Sequence, residues 1–295
     1  MADVTRVYHR KPYDAISPTS PANSQAGRSV LITGASTGIG FAIAKAFAIA
    51  SASRVILLGR RADALDNAIS EIRSELPQDA KCELTKFVCD FSDKEMVASL
   101  WKDLSENKIP VDVLVLNAAK IGSTTNTLDD VTDFMLINVI ANLRMVEYFQ
   151  NQGPADGKIV LSISSGAAHG NPTRRYGPYG PTKAALASFL QSMADQQPES
   201  KLRIVSIHPG IIYTEAAKAL GMKPDSMPYD DREFILPSQP YASWLRIKAA
   251  ERCGLNQGAN ALQPTCPGHS VYGRALPTLN FCTADSSGHT GTLTN

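Results

Sequence analysis

The sequence has few cysteines, almost no net charge and no long apolar run. Its five cysteines, Cys82, Cys89, Cys253, Cys266 and Cys282, are odd in number, and no two are spaced as CxxC. That argues against a disulfide framework and against a spaced zinc site, and it favours a reducing compartment. Lys and Arg number 29 against 28 Asp and Glu. Neither nucleic acid nor an anionic membrane is therefore an expected partner. No stretch approaches the ~20 apolar residues of a membrane span. The N-terminal "MADVTRVYHRKPYDAISPTSPANSQAGRS" lacks the apolar core of a signal peptide. The expectation is a soluble cytoplasmic protein without a metal.

What is present suits one large domain with appendages. Hydrophobic residues make up 43% of 295, enough for a substantial core. Short runs rich in β-branched residues recur at 30–33, 54–59, 85–90, 111–117, 158–164 and 202–208. Several show little alternation, as strands covered on both faces do. Between them, helical spacing predicts helices at 39–50, 62–76, 93–107, 128–151 and 179–196. Strand alternating with helix implies α/β architecture, a doubly wound parallel sheet sandwiched by helices.

Residues 1–28 read as a proline-punctuated arm, extended on the surface, and 29–247 as the Rossmann-like domain. Residues 248–295 form an atypical tail. From Gly254 onward it is rich in Gly, Pro, Ser, Thr, Asn and Gln, and its only charged residues are Arg274 and Asp285. Such a composition buries too little apolar surface to offset ordering entropy. The tail is expected to be poorly ordered, which leaves a seventh strand in doubt.

The stretch "SVLITGASTGIGFAIAKAFA" places Gly34, Gly38 and Gly40 between a strand and a helix. A strand turning straight into a helix aims free backbone N–H groups and the helix dipole at the space above the sheet, where an anion is attracted. Glycine lets that turn be tight and close to a phosphate. An ordinary Gly-rich turn is the bland alternative.

TGASTGIG after the first strand resembles the cofactor loop of the short-chain dehydrogenase/reductase family. Asp90, Asn117-Ala118-Ala119, Tyr179-Gly-Pro-Thr-Lys183 and His208-Pro209-Gly210 follow in the family's order, over roughly 29–215. The Pro-rich arm and "ILLGRR" are similar to members common in filamentous fungi, which implies a role in fungal secondary metabolism. By resemblance, Gly34, Ser36, Thr37, Gly38, Ile39, Gly40, Asp90, Asn117, Tyr179, Lys183, Pro209, Gly210, Ile212 and Thr214 bind cofactor. Asp90 is alternatively only a cap for helix 93–107. The resemblance also implies a homo-oligomer through the helices at 128–151 and 179–196.

The second strand ends "VILLGRR". Gly59 stands where an NAD-binding acid would sit, and Arg60 follows. A guanidinium can grip the 2′-phosphate that a carboxylate repels. The cofactor expected is NADP(H), unless Arg60 and Arg61 are two solvated cations.

Reducing a carbonyl requires a proton donor and something to hold the oxygen. Tyr179 and Lys183 are one helical turn apart and share a face. A neighbouring ammonium favours the tyrosinate, and the family assigns the proton to this tyrosine. Ser165 resembles the family serine that bonds the substrate oxygen. Fourteen positions separate it from Tyr179, one more than in the family pattern, and Ser164 is an open alternative. Pro181 lies inside the motif, so the helix is expected to start near Tyr179. Asn138, amid apolar residues, resembles the family asparagine that holds a relay water. A satisfied buried amide is the bland alternative, and Asn142 is the weaker candidate.

These residues together imply an NADP-dependent oxidoreductase acting on a small carbonyl or alcohol. A non-catalytic NADP-binding redox sensor on the same fold is the rival. Nothing in the sequence names the substrate.

Overall fold

The apolar runs become strands and the periodic segments become the helices that cover them. The computed structural model describes residues 13–122, 125–153, 156–168, 177–198, 201–219 and 221–225. The expectations for the tail and for a seventh strand lie outside these residues. Strands β1 (Ser29–Thr33), β2 (Arg54–Gly59), β3 (Glu83–Val88), β4 (Val113–Leu116), β5 (Lys158–Ile163) and β6 (Leu202–Ile207) form one sheet in the order β3-β2-β1-β4-β5-β6. Every pairing is parallel. Residues of β1, β4 and β5 are buried throughout, which is why those runs do not alternate.

Helices α1 (Gly38–Ile49) and α2 (Ala62–Glu75) cover one face. On the other face lie α3 (Lys94–Glu106), α4 (Leu128–Met135), α5 (Ala141–Asn151) and α6 (Tyr179–Asp195). A short α7 (Glu215–Ala219) follows β6. In α3, Val97, Leu100, Trp101 and Leu104 are buried, the one-sided spacing that a sheet-covering helix needs. The chain leaves β1 toward β2 on one side and returns at β4 on the other. The crevice at this switch point lies beyond the carboxyl ends of the strands, where ligands bind in such sheets.

Three expectations change. The single helix at 128–151 is interrupted by a π segment, Leu136–Ile140. Strand β3 begins at Glu83, two residues before the predicted run: Glu83 N donates to Ser53 O at 3.0 Å and Glu83 stands in register with Arg54 of β2, whose side chain also pairs with it. The described part of the arm is not extended on the surface. Asp14–Ile16 and Pro21–Asn23 form 3-10 turns, and Ile16, Asn23 and Gln25 are buried. The Gln25 N–H donates to Ala50 O at 2.7 Å and ties the arm to the end of α1.

Candidate active site

The glycine turn forms because β1 ends on Thr33 and Gly34 takes φ +66°. A Cβ on Gly40 would lie 2.3 Å from Gly34 O and 2.5 Å from Asn117 Nδ2. Only a glycine lets α1 press this closely on the turn and on the end of β4. Thr37, the residue before α1, makes no side-chain capping bond, so the first-turn amides of α1 face the crevice without a side-chain acceptor from that position. Thr33, which the sequence reading passed over, is the hinge pin. Its Oγ1 accepts from Asn117 N (2.9 Å) and Ala118 N (3.0 Å) and donates to Val115 O. Asn117 Nδ2 donates to Thr33 O at 2.9 Å and Gly34 O at 3.2 Å.

The crevice is a cleft of about 1020 Å³. It brings together Gly34, Ser36, Thr37, Gly38, Ile39, Arg60, Asp90, Asn117 and Thr214 of the expected binding residues. Gly40 stands behind the turn, Ile212 is buried in the core, and Pro209 and Gly210 do not line the cleft. Thr214 sits against the glycine turn, its methyl 3.5 Å from where a Gly38 Cβ would be, and its Oγ1 accepts from Ala217 N to open α7.

Asp90 is not a helix cap. Asp93 caps α3, accepting from Glu95 N and Met96 N. Asp90 instead accepts from the N–H and hydroxyl of Ser92 at 3.0 and 2.7 Å. Burial pushes its carboxyl up, but the Ser92 bonds and the nearby Arg60 guanidinium outweigh that and hold it below the usual carboxylate range.

Ser165, Tyr179, Lys183 and Asn138 do not line the cleft. Tyr179 is the first residue of α6, as Pro181 required. The Lys183 ammonium lies 5.8 Å from the Tyr179 ring centroid and donates to Ile163 O at 2.7 Å. It is buried, and burial pushes its pKa down to about 8. Ser165 follows β5, and its Oγ accepts from Ala167 N at 3.2 Å, leaving its own proton to be given elsewhere. Ser164 is buried, with a hydroxyl that has no partner among the described residues. Ser165 is the more exposed of the two.

Asn138 lies in the π segment and is 1% exposed. Its Oδ1 accepts from Lys120 N at 2.7 Å, and its Nδ2 donates to Lys120 O at 2.9 Å and Thr182 Oγ1 at 3.1 Å. Both amide protons are thus used in tying the loop after β4 to α6. Asn142 Nδ2 in turn donates to Ile137 O and Asn138 O. The Asn138 amide is therefore buried and hydrogen-bonded at both its oxygen and its nitrogen. No group of His, Cys, Asp and Glu among the described residues could hold a metal ion, and no helix among them is long and apolar enough to cross a membrane.

The family model described as short chain dehydrogenase matches residues 28–225. The chain belongs to this family. A short chain dehydrogenase/reductase of Aspergillus novofumigatus, nsrO, is 36% identical over 251 residues, covering 82% of each chain. AacuD, a short chain dehydrogenase/reductase of Aspergillus aculeatus, is 31% identical over 245 residues, again covering 82% of each. A Shigella flexneri structure described as a short chain dehydrogenase complexed with NADP aligns with a TM-score of 0.63 at 26% identity, covering 75% of this chain and 91% of that one. As in any short chain dehydrogenase, the chemistry needs a nicotinamide cofactor. The turn beneath Gly34 and Gly40, the amides of α1 and the cleft fit its anionic, elongated shape.

Proposed function

We propose that the chain is an NADP(H)-dependent oxidoreductase that moves hydride between nicotinamide and a carbonyl or alcohol substrate. Arg60 carries the cofactor choice. It stands on the cleft wall one residue beyond β2, next to Gly59 rather than a carboxylate. A guanidinium there favours a 2′-phosphate, and a charge-assisted bond of about 1.5–3 kcal/mol corresponds to roughly ten- to a hundredfold in affinity. The amides at the start of α1 would hold the pyrophosphate, with Asp90 and Asn117 at the adenosine end. Lys183 and Tyr179 would take the nicotinamide end. The bound cofactor supplies or accepts the hydride.

The protein residues handle the proton. Tyr179 gives its hydroxyl proton to the substrate oxygen in the reducing direction and takes it back in the other. Ser165 donates its proton in a hydrogen bond to the same oxygen. Lys183, charged below about pH 8, favours the tyrosinate that forms. Asn138 holds the N-terminal turn of α6 in register. Retaining a buried lysine is costly without such work, which argues against the non-catalytic sensor. The Aspergillus relatives support a fungal setting for this reaction. Half-exposed Ile140, at the end of the π segment before α5, and Phe189 of α6 support oligomerisation through this face.

A panel of ketones, aldehydes and alcohols assayed with NADPH and NADH tests the reading. Turnover with NADPH preferred is expected. No turnover on any carbonyl, or a preference for NADH, would overturn it.

A further inference from the structure

The family motif His208-Pro209-Gly210 leaves its histidine without a role in the chemistry above. In the structure His208 follows β6, whose last residue, Ile207, pairs with Ile163 of β5. Ser164 N donates to Ile207 O at 2.7 Å, which sets the ends of the two strands level. The chain then enters the turn Gly166–Ala168. A Cβ on Gly166 would lie 3.1 Å from His208 Nε2, 3.6 Å from Cε1 and 3.7 Å from Cδ2. With Nε2 nearest and its two ring neighbours farther, the imidazole presents its Nε2 edge to the side of Gly166 where a side chain would stand. The other side of the turn meets α6: a Cβ on Gly180 would lie 2.8 Å from Ala167 O. The turn is therefore held between the His208 ring and the first turn of α6, with only hydrogens at Gly166 and Gly180 to spare.

The contents of that turn give the contact its significance. Ala167 N donates to Ser165 Oγ at 3.2 Å, so the turn fixes where the serine oxygen points. Tyr179 lies directly before Gly180. Resting on the reading of Ser165 and Tyr179 given above, we infer that His208 is a positioning residue: its ring is the shelf that holds the Gly166–Ala168 turn and so aims Ser165 at the substrate oxygen opposite Tyr179. A 1 Å misplacement of a catalytic group costs about a hundredfold, and loss of a shelf at van der Waals distance moves the turn by less.

Two substitutions and their combination test this. His208→Ala lowers kcat roughly tenfold, a part of that hundredfold, with the NADPH Kd within about twofold, whereas His208→Phe, which keeps a ring, retains most of the native kcat. Gly166→Ala introduces the methyl that presses on the ring. Gly166 has no left-handed φ, so this contact is the strain it meets. It lowers kcat in the native background and costs markedly less in the His208→Ala background, where the space is vacated. Amide exchange at Ala167 speeds up in His208→Ala. Equal cost of Gly166→Ala in both backgrounds, an unchanged kcat in His208→Ala, or His208→Phe as damaged as His208→Ala would overturn the inference. The Gly166/His208 coupling read from urea midpoints and the Ala167 exchange rate need no substrate. A native chain without turnover therefore defeats the oxidoreductase reading, while these two readouts still decide this one.

Discussion

Tyr179 and Lys183 set the terms at the scale of single residues. Tyr179→Phe removes a hydroxyl and almost no volume. Turnover should fall by about 10²–10⁴, the usual worth of an acid–base group, with NADPH still bound. Near-native turnover would defeat the assignment. Arg60→Ala should weaken NADPH binding by roughly ten- to a hundredfold and leave NADH unaffected, as read by fluorescence titration of both. Lys183 also leaves a signature in stability. Its ordinary pKa of 10.5 is pushed down to about 8 by burial. Between those values the unfolded chain holds the proton and the folded one does not, so stability rises with pH across that window, and below it the burial penalty is complete. Lys183→Met abolishes this contribution. Relative to native protein, the variant should be most favoured below pH 8 and lose up to about 3 kcal/mol of that advantage by pH 10.5. Urea midpoints at both ends of the window measure it, and a difference independent of pH would contradict the burial argument.

At the scale of elements, two neighbouring carboxylates do different work. Asp93 caps α3, so Asp93→Ala should cost about 1 kcal/mol of stability and leave NADPH affinity unchanged. A loss of affinity without a loss of stability would mean that the two aspartates have been assigned the wrong way round. The sequence offered Asp90 for either role and did not single out Asp93, since both stand near the helix start. Most elements were legible because their signals are local: β-branched runs, a Gly turn, one-sided helical spacing. The π segment was not. Its apolar residues continue the helical pattern, and what accompanies the extra residue is Asn138 reaching Lys120, eighteen positions away in the chain. Thr33 was missed for the same kind of reason. A threonine closing a β-branched strand looks like propensity, and only the pairing of β1 with β4 reveals that its hydroxyl carries two amides. The clearest available signal was its polarity at the end of a wholly apolar run.

At the scale of the whole molecule, Ile140 is 47% exposed and Phe189 is 50% exposed, on α5's leading segment and on α6. If copies of the chain meet through these helices, the double variant Ile140→Glu, Phe189→Glu should scatter light as a 31.7 kDa monomer, and the native chain as a multiple of that mass. Equal masses for both would remove this surface from consideration. The amide of Asn138 has a consequence at this scale as well. Through Lys120 and Thr182 it ties the loop after β4, which lines the cleft, to the first turn of α6. Arg60 stands apart from that link, on the far side of β1 between β2 and α2. If Arg60 sets the cofactor preference and Tyr179 gives the proton, as proposed, the two functions rest on separate elements of the fold. Evolution or an engineer can exchange the residues at the β2 edge to change which nucleotide is used, while the part of the molecule that performs the reaction is left undisturbed.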